Sequence, residues 1–269
     1  MPRTSDRLSP EGTGFKAATF ECMGTVISLT FPDSSAGAQE TQDEPAAASA
    51  VVERLFQELD GTFSLYRPAS EASRLARGEL TLRGASPGMR ARYAEAHEWR
   101  LLTEGAFSPE RPDGVLDLSG LIKAHAIREA GRSLHALGRR DWCLNAGGDI
   151  LVSGSPGPGP DASWKAGIVD PADRNRLVSA YALGGHARHA ALATSGSAER
   201  GEHIWRVTSG SDFVQVTVAA ADIVTADILA TAIVSGGMPM LDRAADRWDV
   251  AVLAVHADGS LMATPGFRA

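Results

Sequence analysis

Residues 221–237 constrain the fold most, because this long apolar stretch is typical of a buried helix and yet contains a carboxylate. Asp227 and Thr231 are four residues apart, so on a helix their side-chain oxygens lie on the same face. A carboxylate among apolar residues is unfavourable unless it is hydrogen-bonded, ion-paired or bound to a cation. The simplest explanation is that Asp227 bonds nearby backbone and that Thr231 bonds back to its own helix. A cation site becomes the better explanation only if other polar residues converge on this helix.

Composition limits the class of protein. The 269 residues allow one large domain or two small ones, and the 43% hydrophobic and 22% charged content is typical of a globular chain. The net charge of −7 disfavours nucleic-acid binding and adhesion to acidic membranes. Cys22 and Cys143 are not in a metal-type or redox spacing, which favours buried free thiols over one disulfide.

The first fourteen residues are polar and contain no apolar stretch of signal-peptide length. We also expect no segment of the chain to approach the length and hydropathy of a membrane span. The sequence therefore predicts a flexible N-terminal leader over 1–14, a cytoplasmic location and no membrane insertion.

Strand patterns outnumber helix patterns and do not alternate with them regularly, which predicts an α+β fold with a largely antiparallel or mixed sheet meander packed with helices. A strand pair is expected around Met23-Gly24-Thr25. Further strands are predicted at 114–118, 142–145, 150–153, 164–169, 177–183, 190–194, 204–207, 213–218, 250–256 and 260–263. Helices are predicted at 46–59, 87–103, 119–137, 221–237 and 238–246, with a short one capped by Ser70.

Several common catalytic motifs are missing from the sequence. No Gly-x-Gly-x-x-Gly follows a strand pattern, no phosphate-binding loop ends in Gly-Lys-Ser/Thr, and no His-Glu-x-x-His occurs. Ser195 lies in Thr-Ser-Gly and lacks the nucleophile-elbow pattern, so a serine hydrolase is poorly supported.

Three polar clusters have both a structural and a functional explanation. Asp117-Leu-Ser-Gly-Leu-Ile-Lys123 lies where a helix begins, and free amide groups there attract anions. Alternatively, Ser119 caps the helix and Lys123 is a solvated side chain. Asn145-Ala-Gly-Gly-Asp149 is either a tight hairpin turn or a close approach of backbone to a bulky ligand. His203 is either a general base or a structural histidine.

A series of short motifs follows a definite order along most of the chain, from about residue 20 to residue 237. The motifs are Met23-Gly-Thr25, Phe63-Ser-Leu-Tyr66-Arg-Pro-Ala-Ser70-Glu, Gly105-Ala-Phe-Ser, Leu116-Asp-Leu-Ser-Gly-Leu-Ile-Lys123, Asn145-Ala-Gly-Gly-Asp149, Trp164-Lys-Ala-Gly-Ile-Val-Asp-Pro171, Ala193-Thr-Ser-Gly-Ser-Ala-Glu-Arg200, His203-Ile204 and Ala226-Asp-Ile-Leu-Ala-Thr231. This series resembles the ApbE family of FAD:protein FMN transferases.

The resemblance implies a T-fold-related, ApbE-like architecture in one domain over 15–269, which could comprise two subdomains with the FAD site between them. It also implies a reaction in which FAD is split at its pyrophosphate. FMN is joined through phosphate to a threonine or serine of a target flavoprotein, and AMP is released. The implied partners are therefore FAD and an acceptor flavoprotein.

The resemblance further implies the residues of the site. Asp227, Thr231 and the backbone carbonyl of Ile122 would bind Mg²⁺, and His203 would take the proton from the acceptor hydroxyl. The other implied positions line the FAD site or lie beside the flavin: Met23, Tyr66, Ala106, Phe107, Ser108, Ser119, Lys123, His125, Gly147, Gly148 and Asp149.

Two segments depart from the family pattern. Ile122-Lys-Ala-His125 stands where the family usually has Ala-Lys-Gly-Tyr, and Trp205-Arg-Val-Thr-Ser-Gly210 where it usually has Asp-Pro-x-Thr-Gly. Val224 stands where a further acid often precedes the metal-binding aspartate. Three alternatives stay open: an FAD pyrophosphatase that releases FMN and AMP, a non-catalytic FAD-binding protein, and a structural domain without a ligand.

Overall fold

A computed structural model describes residues 14–33, 43–159, 162–196 and 213–267. The strands are β1 (Phe15–Cys22), β2 (Thr25–Pro32), β3 (Trp142–Ala146), β4 (Asp149–Ser153), β5 (Trp164–Val169), β6 (Leu177–Leu183), β7 (Ala191–Gly196), β8 (Phe213–Ala220), β9 (Val250–His256) and β10 (Leu261–Ala263). The helices are α1 (Asp43–Phe63), α2 (Glu71–Ala76), α3 (Pro87–Leu102), α4 (Ser119–Ala136) and α5 (Ile223–Arg247), with 3₁₀ turns at Leu82–Gly84 and Pro265–Phe267.

An antiparallel sheet organises the chain, with the strand order β1-β2-β3-β4-β7-β8-β9-β10. In β2 the side chains of Ile27, Leu29 and Phe31 are buried, and the residues between them face the other side, as the two-residue period predicts. The main core lies between this face of the sheet and α1, α4 and α5. The predicted α+β class is thus confirmed.

Helix α5 confirms the helix predicted at 221–237 and continues beyond it. Asp222 caps its first turn by accepting the Thr225 N–H at 3.1 Å. At Gly237 the backbone has φ of 64° and ψ of −152°, a conformation that favours glycine and that kinks the helix. The second segment corresponds to the helix predicted at 238–246.

The length and composition of α5 would be enough to cross a membrane, so the expectation that no segment approaches a span is wrong. In this fold 72% of the most apolar part of α5 is buried inside the protein. Its apolar surface therefore covers the sheet as a core helix.

Another prediction is wrong. Residues 114–118 form no strand but a single bridge between Glu110 and Leu116, because a turn reverses the chain where Gly114 N–H bonds Arg111 O at 2.9 Å. The two strands that follow β4 along the chain are not part of the large sheet. Strands β5 and β6 form a separate hairpin against the other face of the sheet, and β4 pairs directly with β7.

Both cysteines are free thiols, as predicted; Cys22 is buried and Cys143 half-buried. Burial raises the pKa of Cys143 to about 12. The strand predicted at 204–207 and residues 1–13 of the predicted leader lie outside the described residues. The assignment of 15–269 to one domain stays a prediction.

Candidate active site

The first turn of α4 brings two predicted site residues together. Leu118 occupies the N-cap position without a side-chain cap, and Asp117 Oδ1 accepts the Ser119 N–H at 2.9 Å. The interpretation of Ser119 as the capping side chain is therefore wrong. The ring of Phe107 lies 3.7 Å from the position that a Cβ on Gly120 would occupy. The loop containing Phe107 is thus packed on the helix start, beside the exposed Ser119.

Lys123 and Asp149 form a buried ion pair. Lys123 is 5% exposed and Asp149 0% exposed, and the lysine ammonium contacts Asp149 Oδ2. The other carboxylate oxygen, Oδ1, accepts the Thr194 N–H at 3.2 Å. The interpretation of Lys123 as a solvated side chain is therefore wrong, and the pair instead connects α4, β4 and β7.

The turn between β3 and β4 presses against the turn between β1 and β2. Gly147 and Gly148 have φ of 63° and 95°. A Cβ on Gly147 would lie only 2.3 Å from Thr25 Oγ1, so the close approach requires glycine. Met23, in the facing turn, has φ of 52°, a left-handed conformation that is uncommon outside glycine. Backbone in such conformations is concentrated at functional sites.

Tyr66 is an aromatic side chain that is 86% exposed. Its neighbour Arg67 is ion-paired with Asp60 near the end of α1. Burial, followed by the nearby Asp60 carboxylate, raises the pKa of the Cys22 thiol, and Arg67 opposes this rise. The Tyr66 corner therefore lies close to the end of β1 and to the Met23 turn.

Helix α5 packs against β7, and its Thr231 contacts that strand. Asp227 is buried at 4% exposure, and Thr231 follows one turn later with its Oγ1 3.0 Å from Ser195 Oγ. Ile122, whose carbonyl is the other predicted ligand, is buried on α4, which packs against α5. Within the described ranges no three His, Cys, Asp or Glu side chains cluster as metal ligands. A cation here would be held by one carboxylate with hydroxyl and carbonyl oxygens.

His125 joins α3 to α4. Its Nδ1 lies 2.8 Å from an Arg92 nitrogen and 3.1 Å from an Arg128 nitrogen. Arginine only donates, so Nδ1 accepts and carries no proton. Burial and these guanidinium groups lower the pKa of His125 to about 4. Glu95 pairs with both arginines and balances part of their charge.

The loop after α3 is fixed against the second segment of α5. A Cβ on Gly236 would lie 3.1 Å from Ala106 Cβ and 2.9 Å from Met240 Cβ. Arg243, one turn further along, is ion-paired with Glu104. Ser108 Oγ accepts the Glu110 N–H at 3.1 Å and closes the other end of the loop. The contact between this loop and α5 was not predicted from the sequence. The Gly-Gly-Met-Pro motif at 236–239 is the feature that could have indicated it.

One surface pocket of the described residues lies elsewhere. It encloses about 460 Å³ at the far end of α5, where Arg188, Trp248 and Asp249 contribute to its lining. Twenty residues separate Asp227 from Arg247, and the kink at Gly237 lies between them. This pocket contains no predicted site residue. The predicted base, His203, and the segment 205–210 lie outside the described residues.

The sequence profile of the ApbE family matches residues 109–254, which is more than half of the chain. The chain belongs to the ApbE family. A curated relative, the FAD:protein FMN transferase of Rhodobacter capsulatus, is 34% identical over 170 residues. This match covers 59% of the chain and 31% of the relative, so the chain spans about a third of that protein's length.

Solved ApbE structures share the fold. The flavin transferase ApbE from Vibrio cholerae superimposes with a TM-score of 0.73 at 23% identity, covering 94% of this chain and 98% of that one. The ApbE protein of Thermotoga maritima gives 0.72 at 17% identity with the same coverage, 94% and 98%. The apo flavinyl transferase ApbE of Pseudomonas stutzeri gives 0.71 at 17% identity, covering 97% and 99%. The predicted ApbE-like architecture is confirmed.

Proposed function

We propose that this protein transfers FMN from FAD to a threonine or serine hydroxyl of a target flavoprotein, with Mg²⁺, and releases AMP. Family membership and the curated relative named as an FAD:protein FMN transferase support the proposal. The observation that carries it is the oxygen-rich face of α5, where the buried Asp227 lies one turn before Thr231, whose hydroxyl contacts Ser195.

The residues of this face fit a magnesium ion. Asp227 offers a buried carboxylate, Thr231 a hydroxyl, and Ile122 on the neighbouring α4 a backbone carbonyl. These donors are all oxygen, the ligand type that Mg²⁺ prefers. Mg²⁺ is usually bound by one or two carboxylates together with substrate phosphates, so Asp227 with the FAD pyrophosphate is a sufficient set. When bound, the ion would neutralise charge on the breaking phosphoanhydride.

The chain's own residues would bind FAD, position it and move one proton. The bond between the two phosphorus groups of FAD breaks, a new phosphorus–oxygen bond forms to the acceptor hydroxyl, and AMP leaves. In the proposal the hydroxyl proton passes to His203. Because the ammonium of Lys123 is neutralised by Asp149, its contribution to the FAD site is to hold the Gly147–Gly148 turn in place.

The test is a transfer assay. Purified protein is incubated with FAD, Mg²⁺ and candidate acceptor domains, and mass spectrometry detects an FMN-sized adduct while chromatography detects AMP. Asp227→Ala and His203→Ala should each abolish both products. The matched control is Asp258→Ala, which removes a carboxylate that only bonds Ser260 in an exposed turn. The proposed mechanism is wrong if both site variants behave like wild type.

The same assay separates the alternatives. AMP release without an acceptor indicates an FAD pyrophosphatase. Tight FAD binding without AMP indicates a binding protein, and failure of FAD to raise the melting temperature indicates a domain without this ligand. The cytoplasmic location stays a prediction, and the acceptor flavoprotein would share that compartment.

A further inference from the structure

Ser195 belongs to the Thr-Ser-Gly motif and has no part in the reaction described above. We propose that Ser195 is a positioning residue that orients the Thr231 hydroxyl so that its lone pair faces the cation. This inference rests on the proposed function, because it concerns the magnesium site of that reaction.

The hydrogen bond between the two hydroxyls is the first argument. Ser195 Oγ and Thr231 Oγ1 are 3.0 Å apart, so one of them donates to the other. A hydroxyl that binds a cation uses an oxygen lone pair, and its hydrogen must point away toward an acceptor. Ser195 Oγ is placed to be that acceptor. Without that acceptor, the hydroxyl of a helical threonine usually donates to the backbone carbonyl four residues earlier, here that of Asp227. The oxygen lone pairs of Thr231 would then no longer be oriented toward the cation.

The rigidity of the strand around Ser195 is the second argument. Thr194 N–H bonds Asp149 Oδ1 at 3.2 Å, and Thr194 Oγ1 lies 2.9 Å from Thr217 Oγ1 on β8. Asp149 is in turn held by Lys123, the neighbour of Ile122 on α4. The acceptor on β7 is therefore fixed to the same helix that would supply the carbonyl ligand.

Partial burial is the third argument. Ser195 and Thr231 are both half-buried, whereas Ala193, on the same strand, is fully buried. The hydroxyl pair is thus at the edge of the core, where a cation and a phosphate can reach Thr231. A purely structural serine–threonine bond would not require this position.

The experiment measures Mg²⁺ binding by titration calorimetry on protein saturated with FAD and lacking any acceptor. Ser195→Ala should weaken Mg²⁺ affinity about three- to tenfold, the size expected for one hydrogen bond. Ser195→Thr keeps a hydroxyl and should restore the affinity. Ser133→Ala is the matched control, because its hydroxyl bonds only Glu129 O in its own helix at 3.0 Å. FAD affinity without Mg²⁺, and the melting temperature of the ligand-free protein, are measured for every variant.

The outcomes distinguish the inference from the proposed function. Support requires a loss of Mg²⁺ affinity in Ser195→Ala that Ser195→Thr rescues, with unchanged FAD affinity in the absence of Mg²⁺. Unchanged Mg²⁺ affinity in Ser195→Ala overturns the inference, and so does an equal loss of FAD affinity without Mg²⁺. If wild type transfers FMN without binding Mg²⁺, the inference fails while the transfer reaction stands. If wild type neither binds Mg²⁺ nor forms an adduct, both fail.

Discussion

Lys123 and Asp149 neutralise each other inside the fold, where both side chains are shielded from solvent. The two residues lie on α4 and at the start of β4, and their contact holds the β3–β4 turn against the helix that begins the site. Since each charge is stable there only because of the other, the pair makes a sharp prediction about stability.

Replacing Lys123 by methionine should lower the free energy of unfolding by about 3–5 kcal/mol, because it leaves a buried, unpaired carboxylate. Denaturant unfolding measures this change. The control is Lys16→Met, which removes a surface ion pair with Asp33 at 3.6 Å and should change stability by at most about 1 kcal/mol. Similar losses in the two variants would contradict the prediction.

Gly147→Ala should destabilise the protein by about 1–3 kcal/mol, because the new Cβ meets Thr25 Oγ1 and the backbone is left-handed. Thermal and denaturant unfolding give the value. The double variant Gly147→Ala/Thr25→Ala removes the clash with the threonine side chain and should recover some of the lost stability. Gly157→Ala, where a Cβ meets nothing within 4 Å, should change little.

Gly236→Ala should displace the Ala106 loop, because its Cβ comes within 3.1 Å of Ala106 and 2.9 Å of Met240. We expect a loss of about 1–3 kcal/mol in stability together with weaker FAD binding, measured by flavin fluorescence. Gly61→Ala in α1 has open space around it and should be neutral or slightly stabilising. If Gly236→Ala binds FAD like wild type, the loop does not contribute to the site.

His125 should make stability depend on pH between about 4 and 6.5. In the unfolded chain the imidazole takes up a proton near its ordinary pKa of 6.5, whereas in the folded protein it does so only near 4. The unfolded state thus binds more protons in this window, and stability rises with pH until it levels above 6.5.

The variant His125→Gln isolates this effect. It should remove His125's share of the pH dependence, and unfolding at a series of pH values measures the difference from wild type. The charged groups around the ring, Arg92, Arg128, Arg132 and Glu95, stay in place in that comparison. Identical pH profiles for the two proteins would show that the imidazole is not held neutral.

The elements with strong periodicity could be predicted from the sequence. The apolar run of α5 predicts a buried helix with Asp227 and Thr231 on one face. The alternation in β2 predicts which of its side chains enter the core. Residues 114–118 have an alternating pattern too, but a glycine turn and the start of α4 leave no room for a strand. Local pattern does not determine whether a partner strand is available.

The contacts that join distant segments could not be predicted. Lys123 and Asp149 are separated by 26 positions, and nothing in either neighbourhood indicates that the two charges are buried together. Ala106 and Gly236, which also approach each other, are separated by 130 positions, about half of the chain. Such contacts depend on how helices pack on the sheet, which a single sequence does not specify. The site residues come only from the resemblance and stay predictions, and the structure adds the contacts around those of them that it describes.

The kink in α5 makes this helix intolerant of changes in length. Asp227 and Thr231 precede Gly237, while Met240 and Arg243, which hold the loop after α3, follow it. One inserted residue would turn everything beyond it by about 100° and shift it by about 1.5 Å. Insertions among related chains should therefore be rare in this helix and more frequent in the β5–β6 hairpin. The hairpin is a separate sheet, and the pairing of β4 with β7 does not depend on it.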